Sequence, residues 1–219
     1  IYQVLHEQGL CVGRHRVAHL MREMGIAGKS HRKRSPRTTQ VDTTHPVAPN
    51  VLDRQFNDVA CGTVWLSDIT YIDTDEGDLY LAGLMDPASR EIVGMAMADH
   101  MRTDLVDNAL QMAVKQHRPQ PGTLHHSVRG NQYTSADYQQ ALATAGMRVS
   151  MSRTGSCLDN APMESFWATL KCECADQPFP SHDRARVAIF DYVMGFYSRE
   201  RKHSALGYLS PVQYAQQQL

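Results

Sequence analysis

The chain has 219 residues, enough for one core domain of ordinary size and a small appendage. Hydrophobic residues at 42% and charged residues at 21% exclude a disordered or collagen-like chain, and no run of 18 apolar residues offers a membrane span. The net charge of −1 conceals an asymmetry: residues 1–40 carry 8 Lys and Arg against 2 Asp and Glu, and residues 41–219 carry 14 against 21. A basic head on an acidic body points to a head that meets a polyanion, with a solvated basic linker as the plainer alternative. Ile1-Tyr2-Gln3-Val4-Leu5 reads as mid-helix rather than as a signal peptide, which suggests a piece of a longer chain. Cys11, Cys61, Cys157, Cys172 and Cys174 are odd in number and scattered, so a reducing cytoplasm is expected rather than a disulfide framework.

In chain order, residues 1–27 predict two short helices broken between Gly9 and Gly13, with Val17, Leu20, Met21 and Met24 at helical spacing and Gly25 as the stop. Residues 30–39 are polar and basic and read as an arm. Residues 41–60 read as a linker punctuated by Pro46, Pro49 and Asn50. From Thr63 the pattern changes. Three β-rich runs, Thr63–Ile72, Leu79–Met85 and Glu91–Ala98, are joined by tight turns and predict an antiparallel meander. Thr103–His117 is amphipathic at 3.6 spacing, with Thr103 as its N-cap. A short strand at 123–128, a helix capped by Ser135 and ended at Gly146, and a strand at Met147–Met151 follow. Helices are predicted over Asp159–Cys174 and His182–Ser198, and Ser210-Pro211 opens another. The order predicts a mixed α/β domain of three layers, residues 61–219, behind a helical head over 1–40 and a linker over 41–60.

Asp68 is the unusual residue, a carboxylate in the middle of an apolar strand. Such a group is costly to bury unless it is paired, hydrogen-bonded or bound to a metal. Glu164 sits beside Phe166, Trp167 and Leu170 on the helix that follows a polar loop, Ser152 to Leu158; the plainer reading is an exposed Glu favoured by the helix dipole. Asp159 or Asn160 can cap that helix, with Pro162 in its first turn and Glu164 in its second. Two carboxylates, on a strand and on a helix packed over it, can hold hard divalent cations such as Mg2+ or Mn2+. A two-ion phosphoryl-transfer site needs a third.

Four segments carry a resemblance. They are Trp65-Leu66-Ser67-Asp68-Ile69-Thr70-Tyr71-Ile72, then His126-Ser127-Val128-Arg129-Gly130-Asn131-Gln132-Tyr133-Thr134-Ser135, then Ser152-Arg153-Thr154-Gly155 with Asp159-Asn160-Ala161-Pro162-Met163-Glu164-Ser165-Phe166, and last Tyr197-Ser198-Arg199-Glu200-Arg201-Lys202-His203 through Pro211. In this order the chain resembles the transposases of bacterial insertion sequences whose catalytic domain is retroviral-integrase-like. The resemblance implies a ribonuclease-H-like α/β fold, a three-layer mixed sheet with flanking helices. It also implies an Asp, Asp, Glu triad holding two Mg2+ or Mn2+ ions, with Asp68 and Glu164 as its first and last members. The second Asp falls at Val128, with the family's usual 35 residues between that position and Glu164. Valine offers no ligand, so the resemblance implies a transposase impaired in strand transfer, or a catalytically dead DNA-binding relic that represses the element.

The family further implies double-stranded DNA at the element's terminal repeats as partner, a homo-oligomer on that DNA, no membrane, and a cytoplasmic, nucleoid-associated protein. Arg14, Arg16, Arg32, Lys33 and Arg34 in the head match its DNA-binding segment. Arg129, Asn131 and Gln132 contact phosphate or bases, or cap the following helix. Arg153 lies where integrase-like enzymes keep a mobile substrate loop, and Gly155 favours mobility. Arg201, Lys202 and His203 form a second basic cluster suited to phosphate. Substitution for Val128 by His126, two residues earlier on the strand, or by Asp137 is disfavoured, because imidazole suits Mg2+ poorly and Asp137 reads as surface. Tyr197 and Tyr208 read as packing anchors. A ribonuclease H-type hydrolase is the rival of the same fold.

Overall fold

The computed structural model describes residues 1–29, 47–56 and 58–218. It divides into two compact units, Ile1–Arg32 and Lys33–Leu219. The first holds α1 (Tyr2–Glu7) and α2 (Arg14–Glu23). Gly9 turns the chain between them at a φ of +81°, a conformation that costs glycine little. Val17 is the buried residue of α2, whereas Arg14 and Arg16 are exposed and the Arg14 guanidinium lies 5.8 Å from the Tyr2 ring centroid. Gly25 ends the helix at positive φ, as its position predicts.

The second unit is built on five strands: β1 (Val64–Ile72), β2 (Leu79–Met85), β3 (Ile92–Ala98), β4 (Leu124–Ser127) and β5 (Arg148–Met151). Their spatial order is β3-β2-β1-β4-β5. The first three form the predicted antiparallel meander, and β4 and β5 add parallel to β1 through crossover helices. On one face lie α3 (Thr103–His117) and α5 (Ala136–Thr144), packing Leu105, Ala109 and Leu142 against Trp65 and Leu84. On the other lie α6 (Ala161–Glu173) and α7 (His182–Phe190), packing Phe166, Trp167, Leu170 and Ile189 against Leu66, Ile72 and Leu81. The three layers follow from strands apolar on both faces, which must be covered twice.

Local details differ from the sequence reading. Thr103 is the first residue of α3; Arg102 occupies the cap position, with no side-chain cap bond. The four-residue α4 (Asn131–Thr134) was not predicted. The helix expected over 182–198 runs as α7 and then widens to a π-helical stretch, Asp191–Tyr197, which contains Gly195. Ser210 opens α8 (Pro211–Gln217) with a complete capping box. The segment expected as a linker contributes Leu52, 4% exposed, to the core, and Met151 N–H donates to Pro49 O, so its described part covers the open edge of β5.

Candidate active site at the β1–α6 corner

Asp68 lies on the face of β1 that meets α6, where the Trp167 indole N–H donates to its Oδ2 at 3.1 Å. The half-buried carboxyl is pushed up to about 7, chiefly by burial, with the charge of Glu164 adding to the rise against N–H donation from Ile69 and Trp167. Glu164 is exposed on the first turn of α6, not the second. Partial desolvation raises its carboxyl as well, and Lys171 opposes the rise. The Lys171 ammonium sits 4.0 Å from the Tyr71 ring centroid. Two acids far apart in the sequence thus share one electrostatic environment.

Val128 lies one residue past β4. The parallel register pairs Ser67 with Ser127, so Val128 stands one step beyond the last pair, as Asp68 does on β1. It is half-buried and packs against the cluster of Trp65, Tyr133 and Tyr138. His126 is committed elsewhere. Ser150 Oγ accepts from Val51 N–H at 2.9 Å and from Leu52 N–H, so its hydroxyl donates to His126 Nδ1 at 2.8 Å. The ring then donates from Nε2 to Ser152 Oγ at 3.1 Å. Burial holds His126 down at about 4, and the charge of Asp159 opposes that shift. A neutral imidazole with both nitrogens engaged has no lone pair for a cation, and Asp137 is exposed on α5.

A two-ion site needs a third carboxylate. Among the described residues no group of three or more His, Cys, Asp or Glu is placed to hold a metal ion. Asp68 and Glu164 alone do not make up the three-acid donor set of a two-ion site.

Asp159, expected as a helix cap, has another role. It is fully buried and accepts from Arg153 N, Nε and Nη2 at 2.9, 2.9 and 2.8 Å, from Arg54 Nε at 2.7 Å and from Asn50 Nδ2 at 3.0 Å. The Arg153 guanidinium, with further help from Arg54, holds it well below the usual carboxylate range. Asn160 does not cap either; its Nδ2 donates to Ser67 O at 3.2 Å, inside the sheet. Sequence reasoning missed Arg54 and read Asn50 only as loop punctuation, and no local pattern marks either as a partner of Asp159.

The basic residues divide. Arg14 and Arg16 are exposed on α2, and Asn131 is exposed at the start of α4. Arg32, Lys33 and Arg34 lie outside the described residues. Arg129 donates to Ser152 O at 2.6 Å and to Thr154 Oγ1 at 2.9 Å, and Gln132 to Met101 O at 2.6 Å, so both brace loops. Arg153 is taken by Asp159 and Asp53, so the loop expected to be mobile is tied at its start. Arg201 makes a bidentate pair with Glu173, which also accepts from Tyr192 Oη at 2.7 Å. His203 is half-buried and edge-on to Tyr197, and Lys202 is half-buried beside it. Tyr197 is a packing anchor at 2% exposure, whereas Tyr208 is 38% exposed at positive φ, its backbone N–H donating to His203 O at 2.8 Å.

A mixed five-stranded sheet between helical layers, with an acid on its first strand facing an acid on the helix after its fifth, defines the ribonuclease-H-like class of integrase cores. The integrase core domain family matches residues 59–157 and 145–211, and the HTH-like domain family matches residues 1–34. An uncharacterised 31 kDa protein of insertion element IS600 from Shigella sonnei is 46% identical over 94% of this chain and 76% of its own length. Transposase InsF of insertion sequence IS3A from Escherichia coli K12 is 39% identical over 98% and 75%. The fold is shared with a chain solved in a simian T-cell lymphotropic virus intasome in complex with PP2A regulatory subunit B56 gamma, at TM-score 0.61, 17% identity, and coverage of 96% of this chain and 73% of that one. It is also shared with the HTLV-2 integrase catalytic core solved with magnesium, at TM-score 0.53, 10% identity, 72% and 98%. The chain belongs to the insertion-sequence transposases that carry an integrase core domain and an HTH-like head.

Proposed function

We propose that this chain binds the terminal repeats of its element through the basic head, residues 1–40, and that its strand cleavage and joining are severely impaired at Val128. The 61–219 segment carries the family's integrase core domain, and the observation that carries the reading is that Asp68 lies in the field of Glu164 while Val128 stands at the matching step past the Ser67–Ser127 pair on the neighbouring strand. In an intact family site, Asp68, an Asp at position 128 and Glu164 would hold Mg2+ or Mn2+ ions that stabilise charge on the attacked phosphodiester. This chain lacks that donor set. Its own residues orient: Trp167 fixes Asp68, and Lys171 supplies positive charge beside Glu164. Such a chain would occupy DNA ends as a repressor of the intact enzyme, on double-stranded DNA, as a homo-oligomer, in the bacterial cytoplasm. No helix among the described residues is long and apolar enough to cross a membrane.

The test pairs a binding assay with a cleavage assay on terminal-repeat DNA. The parent chain binds and does not cleave, and Val128→Asp cleaves with Mg2+ or Mn2+. Cleavage by the parent at the rate of Val128→Asp overturns the impairment. Arg16→Ala should weaken binding and reduce the salt dependence by about one released counterion.

A further inference from the structure

We infer that Asp159, with Asn160 beside it, is a positioning residue: the pair sets the start of α6, and through it Glu164, against the strand that carries Asp68. The inference rests on Asp68 and Glu164 being the site carboxylates. Helix α6 begins at Ala161 without a side-chain cap bond; Pro162 and the 3-10 turn Cys157–Asn160 shape its first turn, on which Glu164 lies, but do not tie it to β1. The fixing is tertiary. Outward, Asp159 gathers Arg153 from the loop and Arg54 and Asn50 from the segment that covers β5, and Arg54 also donates to Ser156 Oγ at 3.0 Å. Inward, Asn160 Nδ2 reaches the carbonyl of Ser67, the residue before Asp68.

The chemistry selects these residue types. An ionised carboxylate accepts only, through about four lone-pair sites, and the donors on Asp159 fill them. It is therefore spoken for as a cation ligand, although it is the acid nearest Glu164 in sequence. An amide in its place would turn an NH2 group toward a guanidinium. Gly155, at a φ of +71°, lets the loop fold back so that Arg153 meets Asp159.

The experiment has two arms. In the first, hydrogen exchange is followed on the parent chain and on Asp159→Asn. Protection should fall over residues 152–164 while β1 to β3 keep theirs; unchanged protection there overturns the inference. In the second, the substitution is placed in the Val128→Asp version. The maximal joining rate should fall at least tenfold, with the DNA concentration for half-maximal rate unchanged. A loss confined to DNA affinity overturns it. Should Val128→Asp alone fail to join DNA, the reading of Val128 as the cause of impairment fails, and the exchange arm alone decides the positioning. Should Asp159→Asn fail to fold, Arg54→Gln, at a half-exposed donor, takes its place in both arms. Its loosening should follow the same pattern more weakly, and no loosening overturns the inference.

Discussion

Two aspartates flank the start of the same helix and have opposite fates. Asp68 receives one indole N–H and one backbone N–H, feels the negative charge of Glu164, and is pushed up to about 7. Asp159 receives five N–H donors from three residues and is held far below the ordinary range. The residue type is the same; the supply of donors differs. A carboxylate already neutralised by arginines is architecture, and one left in a shared negative field is a place for a cation.

The largest effect expected at either corner is at Val128. On the proposed reading, Val128→Asp supplies the third carboxylate, on the strand beside that of Asp68, and should raise metal-dependent cleavage by on the order of 10³ or more, read as product formed per unit time on terminal-repeat DNA. Equal rates in the two proteins would make the Asp68 corner no more functional than the Asp159 corner.

At the other corner, Asp159→Asn should cost roughly 2–3 kcal/mol of stability, the scale of a hydrogen bond to a charged group in a buried place, read from denaturant midpoints. A cost near zero would mean that the arginines hold the loop without it.

Gly83→Ala probes Asp68 through packing. A Cβ there would stand 2.8 Å from the Trp167 ring, on the residue that pairs with Asp68 across the β1–β2 ladder. The ring must shift, so a loss of about 1–3 kcal/mol is expected, and the indole N–H resonance should move as its bond to Asp68 breaks. An unmoved resonance would remove Trp167 from the site.

The effect that is smallest at any one step of pH lies behind the Asp159 corner. His126 has a folded value of about 4 against an ordinary 6.5, so the unfolded chain takes the proton first as pH falls. Its contribution is whole above about 6.5 and is lost on the way down to about 4. Against His126→Gln, the parent should lose at most about 1.4 kcal/mol per pH unit in that window, measured by urea unfolding at several pH values. A difference that does not vary with pH would mean that the imidazole is not held neutral.

Much of this was legible in the chain. β-branched and aromatic runs marked β1 to β3, the 3.6 period marked α3, and Gly25 and Gly146 marked helix ends, because each is a local preference written in neighbouring residues. Asp68, Val128 and Glu164 were legible through their order and spacing within family motifs. The donors on Asp159 were not. Arg54 and Asn50 approach it from a segment that reads as a linker, and Arg153 reads as a free cation on a loop. Arg201 likewise reads as a phosphate contact, and Glu173 claims it across a helix-to-tail packing with no sequence signature.

By itself, then, the sequence determined the layered α/β body, the helical head and the family, since composition, period and motif spacing are properties of the chain. Only the tertiary structure decided which charges are already paired. That depends on distances between segments far apart in sequence, and a carboxylate declares itself site or strut only when its neighbours in space are known.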